Sequence, residues 1–267
     1  MKYLSCFVFV IIFLSGCGRE ATGPQALVVG MELAYPPFEM TDEKGEPSGV
    51  SVEMANALAE NLERPLEIRN MSFDGLIPAL KTGSIDLIIS SMTATEERAQ
   101  SIDFSDPYLH TELSLLTSKG SGVETVADLN QEGRVVVVKL GTTGDVYAKA
   151  HLDKATLRVL DKENACVMEV VQGKADAFLF DQLSVYQNAQ RHPDTTEAKL
   201  SSFQRESWAI GIRQGDDELK AQVNEFLEVF RSEGGFEELG EKYLGEFQKG
   251  FRELGIPFVF DPPVPGK

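Results

Sequence analysis

The sequence predicts an α/β protein whose strands build parallel, doubly wound sheets. Three observations lead there. Short runs rich in valine, isoleucine and leucine alternate with amphipathic helical segments. The strongest of them, such as Val135–Val138, are apolar without interruption, as buried parallel strands are. The alternation also starts twice, the second series following the loose Gly120–Gly122 segment. No internal repeat accompanies it.

Taken in order, Ala26–Met31 is the first strand, and Glu32–Phe38 leaves its carboxyl end as a loop, because two prolines block a helix. Thr41–Pro47 is a charged turn centred on Gly45, and Glu39, Glu43 and Glu46 read as solvated loop charges. Ser51–Leu62 is a helix with Met54, Ala55, Leu58, Ala59 and Leu62 on one stripe, and Leu66–Met71 is the second strand. Leu113–Ser118 is a further strand. In the second series, Val135–Val138 runs into Lys139–Asp145, a glycine-bearing loop that opens a helix and offers a seat for an anion. Leu157–Leu160 and Ala177–Phe180 are strands, the latter with Asp181 at its carboxyl end. Between them, Val167, Val170 and Val171 mark a helix face on which Cys166 reads as a small buried hydrophobe. Ser207–Arg213 is the last strand, followed by helices over Asp216–Ser232 and Phe236–Leu244.

The densest stretch is Met71–Tyr108. Leu76, Ile77 and Leu80 fall on one face of a short helix, Gly83 ends it, and Asp86–Ser91 reads as a buried strand. Hydroxyls at Ser90, Ser91 and Thr93 then precede Arg98. A buried parallel strand that ends in hydroxyls and runs into a helix start is a place where ligands sit. Thr93 with Glu96 has capping-box spacing, although Thr95 is an alternative cap. Backbone N–H groups and one guanidinium converge here, so the point suits an anion. Read singly, Arg98 would more simply pair with Glu97 or Asp103, and Asp181 would more simply cap a helix.

The run LIPALKTGSIDLIISSMTATEERAQSIDFSDPY, which ends at Tyr108, resembles the signature of the family 3 bacterial solute-binding proteins, which deliver polar amino acids to ABC importers. The resemblance spans roughly Ala26–Leu254. It implies a periplasmic binding protein-like fold: two Rossmann-like lobes joined by a two-strand hinge, with the ligand in the interlobe cleft. Residues 26–114 with 207–255 would form one lobe and 115–206 the other, with crossings near Ser114–Ser118 and Phe203–Ser207. By the same resemblance Arg98 holds the ligand carboxylate, helped by backbone N–H groups near Thr93, Thr142 and Thr143. Asp181 takes the α-ammonium, with the Thr93 hydroxyl and the Ser91 carbonyl sharing that task. In relatives for lysine, ornithine or arginine, aromatics matching Tyr35 and Phe73 sandwich the side chain, and an acid matching Glu32 meets its cationic tip. A basic amino acid, arginine first, is therefore the expected ligand. Relatives for glutamine and histidine also carry an acid near that position, and these remain the alternative. The lobes are expected to close on the ligand as a hinge and present it to a permease. The resemblance implies a monomer without cofactor or metal. Catalysis is not expected, since His110, His151 and His192 are isolated and neither zinc-ligand spacing nor a serine elbow occurs. A sensor, an adhesin or a dehydratase-like enzyme are the rival uses of such a fold.

The chain has 267 residues, 42% hydrophobic and 25% charged, a globular composition. Its formal net charge of −17 argues against nucleic acid or anionic membrane surfaces as partners. Met1–Gly16 reads as a signal peptide, with Lys2 as its charged start and Leu4–Leu14 as an apolar core too short to span a bilayer. Its end, Leu14-Ser15-Gly16-Cys17, resembles the bacterial lipobox, which implies cleavage before Cys17, lipid on its sulfur, and a location in the periplasm or cell envelope. Residues 17–25 would then be a tether. With Cys6 removed and Cys17 lipidated, Cys166 has no disulfide partner. Ile256–Lys267 is a proline-rich tail beyond the resemblance.

Overall fold

The first strand–helix series folds as its alternation dictates. In the computed structural model, which describes residues 24–260, β1 (Leu27–Met31) leads through a hairpin of β2 (Met40–Thr41) and β3 (Pro47–Ser48) into α1 (Val50–Asn61) and β4 (Leu66–Asn70). Then come α2 (Phe73–Lys81), β5 (Leu87–Ile88), the single turn α3 (Glu96–Ala99) and β6 (Asp103–Phe104). β1 lies parallel between β4 and β5, with Val29 opposite both Ile68 and Leu87. The long β7 (Leu109–Ser118) carries the chain into a second sheet. There β8 (Val135–Lys139), α4 (Thr143–His151), β9 (Thr156–Leu160), α5 (Glu163–Val171), β10 (Ala177–Asp181) and α6 (Gln182–Arg191) follow in turn. β11 (Thr196–Trp208) returns the chain to the first sheet, where β12 (Gly211–Ile212), α7 (Asp217–Ser232), α8 (Gly235–Tyr243) and α9 (Gly245–Leu254) complete it.

The result is two α/β lobes, with strand orders β4-β1-β5-β12-β6 and β11-β7-β10-β8-β9. β7 and β11 are the two connections between them. They pair antiparallel over most of their length, from Thr196 opposite Ser118 to Trp208 opposite Leu109. Both sheets are buried on two faces. In β8, Val136 and Val138 pack with Leu179 and Ala148 on one side, whereas Val137 packs with Phe178, Val167 and Val170 on the other. In the first lobe Leu27, Val29, Met54 and Leu58 share a core with Val223, Leu227 and Phe251.

Several elements differ from expectation. The sheets are mixed, because β12 runs antiparallel to β5 and β6, and β7 antiparallel to β10. Ser207–Arg213 is not one strand. The chain changes sheets between Trp208 and Gly211, and Ser105 Oγ accepts from the Ile210 N–H there. The strand expected over Asp86–Ser91 keeps ladder pairing only at Leu87–Ile88, and at its far end Ser91 turns with φ 48°. Helices α6 and α9 were not expected from the pattern. Nor is Ile256–Lys267 wholly a tail, since Ile256, Phe258, Val259 and Phe260 pack on the first lobe's core. The signal segment, Cys17 and residues 261–267 lie outside the described residues.

Candidate functional site

The carboxyl ends of strands from both lobes face one another across the gap beside β7 and β11. Glu32 follows β1, Ser90 and Ser91 follow β5, and Asp181 ends β10. With Tyr35, Phe73, Thr93, Arg98, Thr142 and Thr143, all ten residues singled out in the sequence line one cavity. It is small, about 40 Å³, because side chains reach across it and bind one lobe to the other.

Arg98 is placed by the turn before it. Thr95, not Thr93, caps α3, its hydroxyl accepting from the Arg98 N–H at 3.2 Å. The Arg98 guanidinium pairs with neither Glu97 nor Asp103. It donates to the Thr93 carbonyl at 2.6 Å and, across the gap, to the Gly141 carbonyl at 2.9 Å. Gly141 offers that carbonyl from a left-handed turn (φ 73°) that favours glycine. The next glycine, Gly144, lets α4 sit close on β10, since a Cβ there would meet the Leu179 carbonyl at 2.5 Å. Thr142 and Thr143 thereby bring the start of α4 to the cavity. Burial lowers the Arg98 pKa from its ordinary value, so its charge lacks full solvation.

Asp181 both caps a helix and faces the cavity. It accepts from the N–H groups of Leu183 and Ser184 at 3.0 and 3.1 Å and from the Tyr35 hydroxyl of the other lobe at 2.8 Å. Burial pushes its pKa up to about 6, with those donors opposing the rise. Tyr35 does not form a sandwich with Phe73. Its ring stacks on Phe38 at 5.4 Å and meets Trp208 edge-on at 6.0 Å.

The side-chain end of the site also departs from expectation. Glu32, expected to stand open for a ligand cation, is ion-paired with Lys139, the last residue of β8 in the other lobe. Both partners are buried, at 9% and 4% exposure. Phe73 has two protein cations at its ring, Arg98 at 5.4 Å and Lys139 at 5.3 Å from the centroid. Glu39 is no solvated loop charge. It is 1% exposed, accepts from Ser51 and Ser91 hydroxyls at 2.6 and 3.1 Å, and burial drives its pKa to about 8. At neutral pH it is therefore mostly protonated.

Sequence reasoning missed Lys139, Glu39 and Glu206 as cavity residues. Lys139 closes an all-valine strand, and a cation at the end of such a strand is itself a signal. Glu206, on β11, accepts from Thr93 Oγ at 3.1 Å and from Gln204 at 3.3 Å. Cys166 is buried, and its thiol is pushed up to about 12 by burial, which makes it unreactive. Among the described residues no cluster of three or more His, Cys, Asp or Glu is arranged to hold a metal ion, and no helix is long and apolar enough to cross a membrane.

Comparison with known proteins identifies the family and the fold. The sequence profile of the bacterial extracellular solute-binding proteins, family 3, matches residues 27–246. The L-arginine-binding protein of Pseudomonas aeruginosa is 33% identical over 229 residues, 81% of this chain and 86% of that protein. Among solved structures, an ancestral arginine-binding protein bound to glutamine superposes with a TM-score of 0.77 at 32% identity, covering 84% of this chain and 99% of the other. An ancestral amino acid-binding protein described as a precursor of cyclohexadienyl dehydratase gives a TM-score of 0.75 at 34% identity, covering 82% and 94%.

Proposed function

Since this chain belongs to the bacterial extracellular solute-binding proteins of family 3, we propose that it captures a polar α-amino acid outside the cytoplasm and presents it to an ABC permease. One observation carries the reading. The guanidinium of Arg98 from one lobe and the carboxylate of Asp181 from the other face a single cavity. The protein's own groups occupy the places a zwitterion would take, the Gly141 carbonyl on Arg98 and the Tyr35 hydroxyl on Asp181. An incoming carboxylate gives Arg98 a charged, bidentate partner in place of a neutral one, and an ammonium does the same for Asp181. Because the two anchors sit on different lobes, such a ligand favours the closed form, which is the differential affinity a population shift requires. Lipid on Cys17 would keep the receptor at the membrane that holds the permease.

For the side chain, the Glu32–Lys139 pair supports a neutral polar group over a cation. An arginine or lysine tip would bring a further positive charge beside Lys139, while the one acid expected to meet it is already paired. A neutral amide can accept from Lys139 and bond Glu32 without breaking the pair, so glutamine replaces arginine as the first candidate. A thermal-shift and calorimetric screen of the twenty amino acids plus ornithine tests both parts. Glutamine is expected to bind more tightly than arginine or lysine. Tighter binding of a basic amino acid overturns the side-chain assignment, and binding of none overturns the receptor reading. Mass spectrometry of the recovered ligand separates capture from turnover.

A further inference from the structure

The cavity holds more acids than the Glu32–Lys139 pair and a single ammonium anchor account for. Lys139 is taken by Glu32, and the Arg98 guanidinium donates to two carbonyls, which leaves it for a ligand carboxylate. Apart from Glu39, which accepts from the Ser51 and Ser91 hydroxyls, two buried carboxylates then remain, Asp181 at 4% and Glu206 at 5% exposure. The hydrogen bonds each accepts come from neutral donors, Tyr35 and backbone N–H groups at Asp181 and Thr93 and Gln204 at Glu206, with the Arg98 charge also acting on Glu206. Burying one carboxylate without a counter-charge is costly, and burying two beside each other is worse.

We infer that Glu206 is a second carboxylate for the α-ammonium of the ligand, sharing it with Asp181, an assignment that rests on the amino-acid receptor reading. The position suits the role. Glu206 stands on the connecting strand β11, accepts from Thr93 of one lobe and lines the cavity with Thr143 of the other. Thr93 is also the residue whose carbonyl receives Arg98, so Glu206 lies next to the carboxylate anchor, as an ammonium one carbon away from that carboxylate requires. The charged groups it faces are Asp181 on β10 and Arg98 on α3; Lys139 is paired with Glu32. Burial, and the neighbouring Asp181 charge after it, raise the pKa of Glu206, and an ammonium between the two acids reverses that rise.

The test separates an ammonium contact from a hinge role. Calorimetry is run on wild type and E206Q with L-glutamine and with its deamino counterpart, glutaramate, using another amino acid and its deamino form if the screen favours one. E206Q is expected to weaken the amino acid at least tenfold and the deamino acid less than threefold. Proton release on amino acid binding, followed from about pH 4 to about pH 8 in two buffers of different ionisation heat, is expected to be smaller in E206Q than in wild type. Should E206Q fail to fold by circular dichroism, Glu206→Asp enters the same comparison. Equal losses on both compounds, no loss on either, or unchanged proton release overturns the assignment of Glu206 alone. A wild type that binds no amino acid overturns the receptor reading and this assignment with it.

Discussion

Replacing Lys139 with methionine tests how the side-chain end of the site chooses its ligand. Methionine keeps an unbranched stem against the Phe73 ring but removes the cation from Glu32. Glu32, 9% exposed, is then a buried carboxylate without its partner, a loss of about 3–5 kcal/mol for the closed form. A ligand that carries its own terminal cation restores the pair on binding, and glutamine cannot. A contact pair at an effective dielectric near 20 is worth about 4 kcal/mol. If half is recovered after desolvating the ligand, arginine gains about 2 kcal/mol on glutamine, roughly thirtyfold in relative affinity. Titration calorimetry of both amino acids on wild type and K139M yields the four constants needed. A ratio of arginine to glutamine affinity that moves by less than threefold would sink the reasoning, because Glu32 would then not be reaching the ligand side chain at all.

Three other outcomes are expected. Arg98→Ala should weaken amino acid binding by about 2–5 kcal/mol, since the ligand carboxylate is left buried without its partner; calorimetry showing less than a tenfold loss removes Arg98 from its assigned role. Stability should fall as pH rises from about 4.5 to about 8, because Glu39, Glu163 and Asp181 hold protons in the folded state, at about 8, about 7 and about 6, that they lose in the unfolded chain. Glu39 alone sets a ceiling of about 5 kcal/mol on its share, and urea unfolding that is equally stable at pH 5 and pH 8.5 in wild type, or no flatter in Glu39→Gln, speaks against this. Cys17→Ser should move the protein from the membrane fraction to the soluble one, and an unchanged distribution on immunoblots of fractionated cells denies the lipid anchor.

The elements that could be read from the sequence are those in which local pattern and packing agree. The stripe of Met54, Ala55 and Leu58 predicts α1 because those positions face one core, and all three are fully buried. The valine run predicts β8 because both of its faces are covered. What pattern could not show is pairing over distance. Nothing within Ser207–Arg213 marks the change of sheet, which depends on Ser105 and on Met92, whose carbonyl accepts from the Ala209 N–H. The anchors Arg98 and Asp181 were identified through strand ends and motif, whereas their partners Gly141 and Tyr35 lie far off in the chain. Glu39 was misread because it shares its sequence neighbourhood with Glu43 and Glu46, both of which are exposed. The approach of Ser51, Ser90 and Ser91 from other elements encloses it, and none of these is near it in the sequence pattern.

The strand order of the first lobe bears on how the chain assembles. β12 lies between β5 and β6, although it is synthesised more than a hundred residues after β5 and after the whole of the other lobe. Each of these three strands has only two residues in ladder pairing, too few to persist on their own. The lobe inserted between β6 and β12 contains nearly all of its own pairings and can organise as soon as it emerges. The lobe bearing Arg98 must wait, its central slot open, until the last quarter of the polypeptide arrives. A chain truncated before β12 would therefore keep one ordered half and lose the other, along with one of the two anchors.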